Sequence, residues 1–215
     1  MQKISAQSII KQQIADKKMS HVYLLFGEEE FLKDEYASRI QKELCGGDSL
    51  GLNTLIYSEN INTAEINDAF ETYPMLADTK FILIKDSNIF APSKNGEEKA
   101  VLSDFWKKRL SDVPPYIYIV FLEKNVDKRS SLYKLINKQY TAAEFSRMTS
   151  RDLTTWIERK MLKNGRKISK EDALYITVLC SDNLMVINSE CDKLINYTND
   201  TLHRDDIDRI VSKSL

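Results

Sequence analysis

Histidine, paired cysteine, net charge and long apolar runs are scarce or missing in this chain, and each shortage removes a class of function. The 215 residues include 2 histidines and 3 cysteines. No two cysteines form a C-x-x-C pair, so a disulfide framework or zinc site has too few parts, and three reduced thiols are expected. Cys180 and Cys191 fall on apolar faces of expected helices, and Cys45 sits in a Gly-rich turn. His21 and His203 stand in unrelated contexts, which leaves little basis for His-centred metal or triad chemistry, and no cofactor is expected.

Charge is balanced overall and locally. Lys plus Arg total 31 against 32 Asp plus Glu, a formal net charge of −1. Up to Arg147 there are 20 basic and 21 acidic residues, leaving 11 of each from Met148 onward. Neither half is a basic arm, so tight DNA binding driven by phosphate contacts is not signalled. No apolar run approaches the roughly 20 residues needed to span a bilayer. The opening MQKISAQSIIKQQIADKK lacks the apolar stretch of a signal peptide, so a cytoplasmic protein with no membrane partner is expected.

What is present is the make-up of a globular protein, 42% hydrophobic and 29% charged, long enough for one large domain or two small ones. Up to about Phe145, short β-branched and aromatic runs alternate with helical periods. The runs are HVYLLF (His21–Phe26), NTLIYS (Asn53–Ser58), FILIKD (Phe81–Asp86), YIYIVFL (Tyr116–Leu122) and AAEFS (Ala142–Ser146). YLLF and YIYIVFL are continuously apolar, as strands buried on both faces of a parallel sheet are. Between them, Glu28–Leu44 repeats Leu32, Tyr36, Ile40 and Leu44 at a spacing of four and is followed by Gly46-Gly47. Thr63–Thr72, Glu97–Leu110 and Ser130–Lys138 supply three more amphipathic helices. Five such alternations predict a three-layer α/β domain with a parallel sheet.

Past Arg147 the strand signal stops. Arg151–Leu162, a helix N-capped by Ser169, Asp182–Asn196 and a last helix starting near His203 predict a small all-helical domain. The expected domains are therefore 1–147 and 148–215. Trp106 and Trp156 lie on apolar stripes and are expected in cores. Ile89-Phe90, in the loop Asp86–Gly96, reads either as a second partner contact or as a cover over the sheet edge.

A first strand ending in Gly before a helix is where a phosphate-binding loop would sit. Here the chain reads Gly27-Glu-Glu-Glu-Phe-Leu32-Lys33-Asp34. Against G-x-x-x-x-G-K-[ST], Gly27 and Lys33 are in register, but Leu32 replaces the second Gly and Asp34 the magnesium-binding hydroxyl. Glu28, Glu29 and Glu30 put negative charge where phosphates would lie, so nucleotide binding is not expected. Asp86 offers a single carboxylate where an NTPase strand offers an acidic pair. There is no G-x-S-x-G elbow, GxGxxG motif or Cys–His pair, so no catalytic site is expected.

The opening VYLLFGEEEFLKDE is similar to the first strand and helix of the delta subunit of bacterial DNA polymerase III, the clamp-loader subunit that opens the sliding clamp. The resemblance continues in order through Thr72–Lys80, Val126–Lys134, Trp156-Ile157, Asn164–Ser169, Asp182–Leu184 and Asn188–Leu194. It implies an AAA+-like first domain without a working nucleotide site, a helical lid as second domain, and a collar domain that would follow Leu215. On that footing the sequence is expected to be a piece of a longer chain.

The resemblance implies a non-catalytic subunit of the polymerase holoenzyme. Its partners would be the sliding clamp (the beta subunit), the other loader subunits through the collar, and primer–template DNA only within the complex. The clamp contact of the family maps onto Tyr73, Pro74, Met75 and Leu76. Leu76 departs from the aromatic often found at that position. The residues alone would place this apolar tetrapeptide beneath the domain; the resemblance turns the expectation to exposure. Lys160, Lys163, Arg166 and Lys167 form a basic cluster that is read either as a solvated helix end or as a contact for DNA phosphates. Lys107-Lys108-Arg109 is explained by the end of a helix dipole. The competing readings are an active AAA+-type ATPase and a stand-alone DNA-binding module.

Overall fold

The computed structural model describes residues 6–46, 51–58, 61–92, 96–198 and 200–212. Gly47 of the expected turn and residues 93–95 of the expected surface loop lie outside them. The chain divides into two compact units, Met1–Ser146 and Arg147–Leu215.

The first unit is built in the order α1 (Ala6–Ala15), β1 (Val22–Phe26), α2 (Glu30–Cys45), β2 (Thr54–Ser58), α3 (Thr63–Glu71), β3 (Lys80–Lys85), α4 (Gly96–Ser111), β4 (Ile117–Glu123), α5 (Ser131–Gln139) and β5 (Thr141–Glu144). The five strands form one parallel sheet in the order β2-β3-β4-β1-β5. Central β1 is buried along its whole length, which is why VYLLF shows no alternation. One sheet face carries Val22, Leu24, Ile82, Ile84, Ile119 and Phe121 against Ile66 and Phe70 of α3, Trp106 and Leu110 of α4, and Leu132 and Ile136 of α5. The other face is covered by α1 and α2. These two coverings make three layers.

Trp106 is fully buried, with its ring 5.0 Å from that of Phe121. Ile89 and Phe90 are also buried, and the Phe90 ring packs 5.2 Å from Phe121. Of the two readings of that pair, the structure selects the cover over the sheet. Helix α1 has no counterpart in the sequence reading.

The second unit holds α6 (Ser150–Lys163), β6 (Lys167–Ile168), α7 (Lys170–Leu179), α8 (Leu184–Tyr197), β7 (Thr201–Leu202) and α9 (Arg204–Ile210). Its helix starts follow from side-chain caps: Thr149 and Asp152 form a capping box, Ser169 accepts from the Asp172 N–H at 3.0 Å, and Asn183 accepts from Met185 and Val186. Gly165, at φ +72°, follows the end of α6. The helices are accompanied by a two-residue parallel pairing, Lys167–Ile168 with Thr201–Leu202, a qualification to an all-helical reading. Two residues are too few to register as a period. Trp156 is half-buried instead of enclosed in the core, and the Lys160 ammonium lies 5.4 Å from its ring centroid.

Cys180 and Cys191 are free and buried, and burial pushes their thiols up to about 11 and about 12 respectively. A thiolate is the reactive form, so both are inert near neutrality. With a thiol-specific chromogenic reagent at pH 8, half-buried Cys45 is expected to react first, and Cys180 and Cys191 only after denaturant is added. Rapid labelling of all three in the folded protein would contradict this packing.

Candidate functional site

In an open parallel sheet the ligand crevice lies at the carboxyl ends of the strands, where successive connections leave in opposite directions. Here that point is the ends of β1 and β4, occupied by Gly27 and Glu123. The chain closes it internally. The Gly27 N–H donates to the Glu123 carbonyl at 3.1 Å, and the Glu29 N–H to the Phe145 carbonyl at 3.0 Å. Glu30 and Lys33 donate their N–H groups to the Glu28 and Glu29 carbonyls. These are the groups a phosphate-binding loop would aim at its anion.

Gly27 has φ +118°, and a Cβ there would lie 2.4 Å from the Phe145 carbonyl oxygen. Leu32, in the second-Gly position, is buried in the core. Lys33 is buried too, and its ammonium donates to the Glu123 carbonyl at 3.0 Å. Burial lowers its pKa, opposed by the nearby carboxylates of Glu30, Asp86, Asp34 and Glu123. The Asp34 carboxylate is 2.7 Å from Lys85. The buried Glu123 carboxylate accepts from the Ser87 N–H and hydroxyl and from the Asn88 N–H, and burial raises its pKa despite those bonds.

A second region lies at the opposite, amino-terminal end of the sheet, between α3 and β3. Tyr73, Met75 and Leu76 are 75%, 62% and 94% exposed, and Pro74 is half-buried. Three large apolar side chains in solvent within four residues form a patch of the kind that marks an interaction surface. Their backbone is fastened from below. Lys80, buried at the first position of β3, donates to the carbonyls of Ala69 and Thr72 and to the Thr72 hydroxyl. Its ammonium thus holds the C-terminal turn of α3, where carbonyls lack helical partners. Burial lowers its pKa as well.

Asn53, buried just before β2, holds Met75: its amide N–H donates to the Met75 carbonyl at 2.8 Å, and its Oδ1 accepts from the Met75 N–H at 2.6 Å. The Tyr73 ring packs 4.9 Å from that of Tyr116. Leu76 has φ +55°, a left-handed conformation that costs a leucine roughly 1 kcal/mol. In the sequence Asn53 stands out only as the first residue of a strand run and Lys80 only as the end of the Thr72–Lys80 stretch, neither as a site residue. The available signal was a polar side chain at the entrance of each apolar run, Asn53 before TLIY and Lys80 before FILI.

The basic cluster divides into two paired and two exposed side chains. Lys160 pairs with Asp192 at 2.6 Å and donates to Asn188, while the Arg166 guanidinium donates to the carbonyls of Ile195 and Asn164. Lys163 and Lys167 are exposed. Among the described residues no group of three or more His, Cys, Asp or Glu could hold a metal ion, and no helix is long and apolar enough to cross a membrane.

The family model for DNA polymerase III, delta subunit, matches residues 23–146. The chain is 24% identical over 200 residues to DNA polymerase III subunit delta of Bacillus subtilis (strain 168), an alignment that covers 90% of this chain and 57% of that protein. Its fold is similar to the solved Bacillus subtilis DNA clamp loader delta protein (YqeN), with TM-score 0.75, 20% identity, and coverage of 96% of this chain and 62% of that one. It is also similar, at TM-score 0.50 and 14% identity, to the Thermotoga maritima RuvB Holliday junction branch migration motor, over 95% of this chain and 65% of that one. The chain thus spans less than two thirds of each of these proteins.

Two stability effects follow from this geometry. Gly27→Ala is expected to cost about 2–4 kcal/mol in urea unfolding, because backbone must move to admit the methyl group and the φ is unfavourable for alanine. Lys80→Met, which fills similar space but leaves the α3 carbonyls without their ammonium, is expected to cost about 1–3 kcal/mol in the same measurement. A Gly27→Ala protein as stable as wild type would show that the β1 turn is looser than described.

Proposed function

This chain belongs to the DNA polymerase III delta-subunit family, and from that premise we propose that it is a clamp-binding piece of a replication clamp loader, non-catalytic by itself, that seats Met75 and Leu76 in an apolar pocket of a ring-shaped sliding clamp. The observation that carries this reading is the exposure of Tyr73, Met75 and Leu76 on a backbone fastened by buried polar side chains. The family supplies the partner, and the loop supplies a surface with the right chemistry.

Met75 and Leu76, buried in a pocket, would each contribute roughly 1.5–3 kcal/mol before ordering costs. Methionine also adapts to an irregular cavity, and a few such anchors dominate many interfaces. Binding opens a ring only to the extent that the opened form is bound better than the closed one. That step uses binding energy, with no chemistry at the β1–α2 loop. The donors spent within that loop, and Glu28–Glu30 beside it, argue against the active-ATPase reading. Nucleotide-driven control of the contact is assigned to other loader subunits, joined through a collar domain.

The balanced charge, and the commitment of Lys160 and Arg166 to their own unit, argue against a stand-alone DNA-binding module. Contact with primer–template DNA is assigned to the assembled loader, where Lys163 and Lys167 are the exposed cations of the cluster. The second unit, from about residue 148, is assigned the lid role, and the protein a cytoplasmic location.

The test is binding of this chain to the sliding clamp of the same organism by calorimetry or surface plasmon resonance. Met75→Ala/Leu76→Ala is expected to weaken binding by about 100-fold or more while leaving the thermal transition unchanged, because both side chains are already in solvent. Equal affinity of wild type and double variant would remove the loop from the interface.

A further inference from the structure

Met75 and Leu76 have attention as the tip of the loop, but the residue that decides where the tip points is elsewhere in the chain. We propose that Asn53 is the positioning residue of this surface: one buried amide, gripping both backbone polar groups of Met75, holds Met75 and Leu76 outward and ready to bind. The proposal rests on the reading of residues 73–76 as the clamp contact and deepens it.

The geometry is specific. Asn53 is 1% exposed, and its own carbonyl accepts from the Phe81 N–H at 2.8 Å, so its main chain is fixed at the start of the β2–β3 pairing. From that fixed point its side chain both donates to the Met75 carbonyl and accepts from the Met75 N–H. An amide used on both sides imitates a neighbouring strand. It locks the loop in rotation as well as in distance, as one hydrogen bond could not.

The next residue shows what is being restrained. Leu76 sits in the left-handed region with 94% of its surface in water, unfavourable on both counts for a leucine. A freed loop would relax toward a commoner backbone conformation and turn apolar surface inward. Binding would then have to bear the cost of ordering it again. Lys80 fastens the loop only at Thr72, three residues earlier, and cannot set the orientation at Met75.

The test compares wild type, Asn53→Leu (similar volume, neither hydrogen bond) and Asn53→Asp (acceptor kept, carboxylate against the Met75 carbonyl). Each is measured for clamp binding alone and combined with Met75→Ala/Leu76→Ala. Hydrogen exchange of the Met75 and Phe81 amides is followed in parallel. Asn53→Leu and Asn53→Asp are expected to weaken clamp binding by about tenfold or more, yet to add almost nothing once Met75 and Leu76 are alanine. Met75 exchange is expected to accelerate while that of Phe81 stays slow. A merely structural role would instead speed both amides and leave the two losses additive.

If wild type binds the clamp and both Asn53 variants bind equally well, the positioning role is overturned and the clamp reading stands. If the clamp ignores wild type, or binds the Met75→Ala/Leu76→Ala variant equally, the clamp reading fails. Exchange then decides the positioning claim by itself: an unchanged Met75 rate in the variants overturns it, and a faster one supports it. Should neither variant fold, fast exchange of Met75 in wild type overturns it and strong protection supports it.

Discussion

A cluster of apolar side chains on a loop stays in water when the backbone beneath it is held from turning them inward. In this protein that constraint is the double hydrogen bond between the buried Asn53 amide and Met75, helped by the Lys80 ammonium under Thr72. Both supports are polar groups buried where the sheet begins, and burying such groups is costly unless they are fully engaged. Without them the Tyr73–Leu76 segment would have every reason to collapse onto the domain. With them, the domain presents greasy side chains on a stiff mount, as an interaction surface needs.

The opposite end of the same sheet has gone the other way. There the strand order β2-β3-β4-β1-β5 leaves a switch point at the ends of β1 and β4, and the chain's own groups fill the crevice. The Lys33 ammonium points at the Glu123 carbonyl, and Gly27 lets the chain run close under Phe145. Residues in register with phosphate-loop positions act here as fasteners between α2, β4 and the chain just after β5. The buried Glu123, taking three donors from Ser87 and Asn88, fixes the turn after β3 in the same manner. The proposed division of labour is thus physical: one sheet end spends its donors internally, and the other spends buried donors to hold something outside.

The sequence made β1, β3 and β4 legible because each is a short apolar run rich in β-branched or aromatic residues with one or both faces buried. YIYIVFL and FILIKD fall within a residue or two of β4 and β3. Helix α1 was illegible because its seating is slight: among its described side chains only Ile10 is fully buried, so no stripe forms. The sequence shows the basic cluster but not its partners, because proximity in sequence says nothing of groups 29 or more residues away. Asp192 and the Ile195 carbonyl took up Lys160 and Arg166. Ile89-Phe90 was ambiguous for a similar reason, since whether a loop dipeptide faces out or in depends on the Phe121 ring it meets.

The tetrapeptide 73–76 was readable as apolar but not as exposed, and only the family resemblance tipped that expectation. The physical cause is now visible in residues of other segments. Exposure of Leu76 is traced to Asn53, 23 positions earlier, with Lys80 anchoring the start of the loop at Thr72. This also bounds what the loop can do. Two side chains that enter a clamp pocket equally well in closed and opened rings tighten binding and open nothing. Any opening has to come from a mismatch that the seated loop creates, and a loop able to swivel would relieve the mismatch by moving itself. A loop clamped at both Thr72 and Met75 passes the strain to its partner, so the stiffness that keeps Leu76 in water is the same stiffness that would let binding energy deform a ring.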